Sequence, residues 1–218
     1  MAATFVDIAQ TCAPMVEVRT LAAVVSLESR FKPFAIRIVS GPPLERQPAS
    51  KAEAIELATS FAADRQDIQI GLGGISLEEL RKLKLSISDA FDPCLNLKAT
   101  ATLLDGYYRL ALRTGADVRQ AQNVMLQSYY GRDDPSVGRM VKYDKKVHQE
   151  MVRLPPNLAS VTIAEGNEEG PSESGIGEAA PVEQSLSPSG AAASWDVFSA
   201  RRTSSVLVFE LNPPEQCE

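Results

Sequence analysis

Histidine is almost missing from this chain: of 218 residues, His148 alone carries an imidazole, and only Cys12, Cys94 and Cys217 carry sulfhydryl groups. Ser-His and Cys-His catalysis need an imidazole general base. His148 is the sole candidate for that role, and it sits in a lysine-rich helical stretch that reads as solvated. The three cysteines have no metal-ligand spacing among themselves or with His148, so no metal site is expected. Long apolar runs are also lacking. The longest, such as Leu21 to Val25, fall far short of the roughly 20 residues that span a bilayer, so no integral membrane segment is expected. Met1 to Met15 lacks the basic start, apolar middle and small-residue cleavage site of a secretory signal. Either export is not encoded by a Sec leader or the leader is missing.

An excess of positive charge is absent too. The formal net charge is -6, and seven of the 28 acidic residues lie between Leu154 and Ala200, where there is no Lys or Arg. Without that stretch, 21 acidic residues face 22 basic ones. Nucleic acid, duplex or single-stranded, demands a basic footprint, so no nucleic-acid partner is expected. What is present, 44% apolar and 23% charged residues, suits one ordinary core and hence one folded domain.

Helix signals dominate. Leu21, Val24 and Val25 recur at helical spacing within Val18 to Phe31, and Pro33 closes the segment. Ser50 with Glu53, and Ser76 with Glu79, have capping-box spacing before apolar runs. Asp92-Pro93 opens a long helix that continues to Arg113, the central one. Val118 to Tyr129 reads as another, and Val137 to Arg153, introduced by Ser136 and stopped by Pro155 and Pro156, as a further single helix. Phe34 to Val39 and Asp67 to Ile70 are strand candidates. From Ala164 to Ala193 the composition turns to Gly, Ser, Pro, Ala and Glu, too poor in large apolar groups to offset the ordering of the chain. The pattern predicts a domain over 1–157, a flexible acidic linker over 158–193 and a short segment over 194–218. That last segment regains Trp195 and a β-branched run, and either docks on a partner or folds back onto the domain.

One residue interrupts the apolar stripe of the first helix. Glu28 lies seven residues past Leu21, four past Val24 and three past Val25. A carboxyl group placed there is desolvated, which disfavours its charged form and keeps the proton a general acid needs. Glycoside cleavage uses such an acid to protonate the leaving oxygen, as the buried glutamate of lysozyme does. On periodicity alone the ordinary alternative stays ahead: a helix-end residue bonded to backbone or to Arg30.

Three ordered motifs reverse that preference. Leu21 to Ile36, LAAVVSLESRFKPFAI, resembles the glutamate-serine motif of the lytic transglycosylases. Ile70 to Ile75, IGLGGI, is similar to their second motif, Gly-Leu-Met-Gln plus an apolar residue, and Phe91 to Ala99 resembles the segment that follows. Tyr129-Tyr130-Gly131-Arg132 falls where the third, tyrosine-containing motif falls. The resemblance runs from about Phe5 to Val152 and is greatest to the lytic transglycosylase subunit of type IV secretion systems, whose tail the Trp195 to Phe198 element also resembles.

The resemblance implies an α+β, mainly helical, lysozyme-like fold with a small β region. It implies cleavage of peptidoglycan glycan strands between N-acetylmuramic acid and N-acetylglucosamine, with a 1,6-anhydro product and no cofactor. Glu28 would be the catalytic acid, Ser29 would help hold it, Tyr130 would reach toward its carboxyl, and Gly71, Leu72 and Gly73 would line the sugar groove. Gly73-Gly74 in place of Met-Gln, and Gly131 after Tyr130 where many relatives have Asn, remove side chains that would touch sugar. The family pattern also suggests a Cys12 to Cys94 disulfide and therefore a periplasmic location, with Cys217 unpaired. Envelope components of the secretion system would be met through the C-terminal segment. The rival expectation is a catalytically weak or inactive glycan-binding assembly subunit.

Overall fold

The computed structural model describes residues 4–163, which form nine α-helices and one small sheet. Helix α1 (Phe5–Cys12) was not anticipated; Thr4 caps it by accepting a hydrogen bond from the Asp7 amide. Helix α2 (Val18–Ser29) ends as Arg30 and Phe31 both take the left-handed conformation, φ 54° and 61°, which turns the chain sharply after the glutamate-serine pair.

Strand β1 (Ile36–Ile38) follows, and helix α3 (Lys51–Ala63) begins on the Ser50 cap. β1 pairs antiparallel with β2 (Ile68–Ile70), which pairs antiparallel with β3 (Ile75–Ser76). The register sets Ile36 opposite Ile70, Arg37 opposite Gln69 and Ile38 opposite Ile68. Because side chains alternate across a sheet, the isoleucines go to one face and Arg37 with Gln69 to the other. Helix α4 (Leu77–Leu83) starts with a complete capping box between Ser76 and Glu79, and α5 (Ile87–Ala90) with a second between Ser86 and Asp89.

The central helix α6 (Pro93–Arg113) opens on the Asp92 cap with proline in its first turn. Helix α7 (Val118–Gly131) comes next. The single helix expected over Val137 to Arg153 is in fact two, α8 (Pro135–Met140) and α9 (Tyr143–Arg153). Asp134 and Pro135 start the first of these, and the break comes where Lys142 adopts a left-handed φ of 55°, which no continuing α-helix accommodates. Close packing also explains Gly138 in α8: a Cβ there would lie 2.1 Å from the Gln127 carbonyl oxygen on α7.

Two apolar clusters result. The larger gathers α1, α2, α6, α7 and α9 around Phe5, Leu21, Leu97, Leu104 and Val147; the smaller packs α3 and α5 on the isoleucine face of the sheet. Packing does not stop at residue 157. Leu158, in a 3-10 turn (Leu158–Ser160), and Ile163 are buried in the larger cluster, and the Phe5 amide donates to the Val161 carbonyl. Of the expected linker, residues 158–163 therefore pack with the domain; residues 164–193 and the segment 194–218 lie outside the described residues. No helix among the described residues is long and apolar enough to cross a membrane.

A disulfide joins Cys12, at the end of α1, to Cys94, in the first turn of α6, across 82 positions of sequence. In the chain-entropy model a loop of that length restricts the unfolded ensemble by about 4 kcal/mol, less whatever residual structure the reduced chain retains. Replacing both cysteines with serine is expected to lower the unfolding free energy by about 2–4 kcal/mol, measured by urea denaturation with and without reductant. Equal midpoints for wild type and the double variant would refute this.

Candidate active site

Glu28 closes the buried stripe of α2, and its side chain is only 4% exposed. Two groups, one nearby in sequence and one 115 residues away, reach its carboxylate. The Tyr143 hydroxyl donates to Oε1 at 2.6 Å, and Arg37 Nη2 donates to Oε2 at 2.6 Å. The Arg30 partnership that periodicity left open is not formed; Arg30 is an exposed C-cap whose amide bonds the Ser26 carbonyl.

Each donor is placed by its element. Tyr143 occupies the first turn of α9 with Val147 and Glu150 on the same buried face. That face is fastened to α2 by the Ser26 hydroxyl, which donates to Glu150 Oε1 at 2.6 Å. Arg37 stands on the open face of β1, where its cross-strand neighbour Gln69 accepts from Nε at 2.9 Å and also from Nη2.

Burial is the largest influence on Glu28 and raises its pKa above the usual carboxylate value. The charge of Arg37 and the hydrogen bonds from Tyr143 and Arg37 oppose this, and the charge of Glu79 adds to it. The net direction is upward. Burial also pushes the Tyr143 hydroxyl well above the phenol range, with the Glu28 charge second, so it remains a donor. Glu79, itself buried, is committed to its cap: its Oε2 accepts from the Ser76 amide and hydroxyl.

The remaining expected site residues take varied positions. The hydroxyl that reaches Glu28 is that of Tyr143, not Tyr130. The ring of Tyr130 lies against the Tyr143 ring, with centroids 5.0 Å apart. Ser29 is buried and donates back to the Val25 carbonyl at 3.1 Å, so it secures the helix end and not the carboxyl directly. Gly71 and Gly74 line a cavity of about 390 Å³ beside Glu28, together with Arg37 and Gln69. Leu72 does not; it is fully buried in the larger core.

Gly73 is held by its backbone. Its amide donates to Asn96 Oδ1 at 2.8 Å, and its carbonyl accepts from the Tyr129 hydroxyl at 2.6 Å. The two glycines are close approaches as well as missing side chains. A Cβ at Gly73 would lie 1.9 Å from Thr100 Oγ1, and one at Gly74, where φ is +65°, would lie 3.0 Å from Glu28 Oε2. Sequence reasoning missed Tyr143, Arg37 and Asn96. The readable signal for Asn96 was a polar residue on the buried face of α6; nothing local marked the other two.

With this geometry in hand, comparison with known proteins is decisive. A family profile described as the transglycosylase SLT domain matches residues 6–129. The chain belongs to the transglycosylase SLT family. Curated relatives of this SLT chain include the type IV secretion system protein virB1 of Brucella abortus, 42% identical over 50% of this chain and 45% of the relative. The protein virB1 of Agrobacterium fabrum is 31% identical over 72% of this chain and 63% of the relative. The protein virB1 of Rhizobium radiobacter is 33% identical over 49% and 44%. The SLT chain thus spans about half the length of the first curated relatives it matches. No solved structure matches it. Membership accounts for the observed plan, a mainly helical lysozyme-like fold with one small sheet.

Two outcomes follow from this geometry. Because a hydrogen bond to the carboxylate favours ionisation, Tyr143→Phe is expected to move the Glu28 titration midpoint upward, read from the Cδ chemical shift, while Tyr130→Phe leaves it in place. An unchanged midpoint in Tyr143→Phe would sink this assignment. Gly73→Ala is expected to cost about 1–3 kcal/mol in thermal or urea unfolding, because Thr100 must yield to the new methyl group; a neutral change would contradict it.

Proposed function

We propose that the domain is a lytic transglycosylase that cleaves peptidoglycan glycan strands between N-acetylmuramic acid and N-acetylglucosamine, leaving a 1,6-anhydro end. The observation that carries this reading is a buried carboxyl on a groove wall, Glu28, whose pKa burial raises.

Protonated Glu28 donates its proton to the bridging oxygen as the glycosidic bond breaks. The resulting carboxylate then accepts the proton of the sugar's own C6 hydroxyl as that oxygen bonds to the anomeric carbon. Proton and electron pairs balance, and no water is consumed. Most glycosidases that use water work with a pair of carboxyl groups. Among the described residues, the other carboxylate that acts on Glu28 is Glu79, and it is tied up in its helix cap. Intramolecular attack fits a site with one available carboxyl. Ser29, Gly71, Gly73 and Tyr130 frame the site in this reading, with Tyr143 as the donor that orients the acid. No metal or organic cofactor enters.

In the cell the reaction would open the wall locally in the periplasm so that a type IV secretion apparatus can assemble, with 194–218 as the segment that meets envelope components. The relatives named as type IV secretion system proteins support that setting. A specific observation favours a second reading, a glycan-binding assembly subunit with weak catalysis: the Arg37 cation bonded to Glu28 favours the ionised acid.

Digestion of purified peptidoglycan separates the two. The wild type is expected to release anhydro-muropeptides, and Glu28→Gln to reduce release at least about a hundredfold with an unchanged circular dichroism spectrum. Identical background products from both proteins would remove the enzyme reading and leave the binding one.

A further inference from the structure

Arg37 does more than contact Glu28. Beyond the cavity beside Glu28 lies a second, of about 410 Å³, bordered by Asp67, Tyr130 and Arg132. Arg37 and Gln69 line both cavities, so their paired side chains stand between two halves of one groove. A linear polymer seated along the groove must cross them.

The two donors to Glu28 differ in their freedom. Tyr143 is 3% exposed and fixed by α9, whereas the Arg37 side chain is 44% exposed and, among the described residues, held only by Gln69 and Glu28. The other ionisable groups near the carboxyl are not free to follow a ligand. Glu79 of α4 is bound in its cap, and the buried Tyr129 hydroxyl of α7 donates to the Gly73 carbonyl.

We propose that Arg37 is a substrate-displaced latch on the catalytic acid: a glycan strand seated across both cavities lifts the guanidinium off Glu28 and leaves the carboxyl with Tyr143 alone. This rests on the reading of the groove as a glycan site. The empty protein then holds its acid nearer the ionised state, and binding removes the cation that favours that state. A proton enters from solvent as the strand seats, so the acid is more fully protonated with substrate than without it.

Calorimetric titration with a neutral hexamer of β-1,4-linked N-acetylglucosamine, at neutral pH in two buffers of different ionisation heat, reads that proton directly. The wild type takes up a measurable fraction of a proton per hexamer bound. Arg37→Met takes up several-fold less, and Arg37→Lys, which keeps the charge, restores most of the uptake. In pH profiles on soluble glycan strands, Arg37→Met has a kcat/KM about tenfold higher on the alkaline side, for an upward shift of about one pK unit, while its kcat limb coincides with that of the wild type. Should the hexamer bind too weakly to be read, these profiles decide alone. Binding without proton uptake in the wild type, equal uptake in Arg37→Met, or an Arg37→Met kcat/KM reduced at every pH with an unmoved limb overturns the latch and leaves the glycan reading standing. No hexamer binding and no peptidoglycan cleavage by the wild type removes both.

Discussion

A carboxyl group that keeps only 4% of its side chain in contact with solvent must either hold its proton or find partners strong enough to replace water. Glu28 does some of each. Burial drives it toward the neutral form, while Arg37 and Tyr143 supply the hydrogen bonds that water would have made. Much of the domain's arrangement serves that compromise. Helix α2 delivers the carboxyl to the end of the helical core, the sheet brings a cation, and α9 brings a phenol that stays protonated.

That convergence requires a rigid frame, because both partners come from chain far from Glu28 in sequence or across a sharp turn. The Ser26 to Glu150 bond and the apolar contact of Val147 fix α9 on α2. Asn96 ties the glycine turn to α6 by bonding the Gly73 amide and the Ala90 carbonyl. The Cys12 to Cys94 bridge fastens α1 to the start of the same helix. The glycines at 73 and 74 belong to this frame, since side chains there would meet Thr100 and Glu28 on the present backbone. An absence that reads in the sequence as lost sugar contact is, in space, also the condition for close packing around the acid.

A good deal of the plan was legible in the chain itself. Capping residues at Ser50, Ser76 and Asp92 marked helix starts, because a cap depends on neighbours within one turn. The stripe of Leu21, Val24, Val25 and Glu28 put the acid on the core-facing side of α2, because helical periodicity is local. The ordered motifs gave the family and the lysozyme-like class. The division of α8 from α9 was not legible: the left-handed turn at Lys142 falls on a residue type with no preference for it, and tertiary packing imposes the break.

What the sequence determined by itself was the position of the acid, the helical scaffold and the family. Which groups meet that acid was decided only by tertiary structure. Tyr130 occupies the family's tyrosine motif, yet the hydroxyl that bonds Glu28 belongs to Tyr143, 115 residues away. Arg37 follows the first motif closely in sequence, but it faces Glu28 and Gln69 because strand pairing sets the register of β1 against β2. Which donors reach a buried carboxyl depends on distances between segments, and no local pattern encodes those distances. The sequence placed a carboxyl where it would be desolvated; the folded chain chose the donors that set its proton.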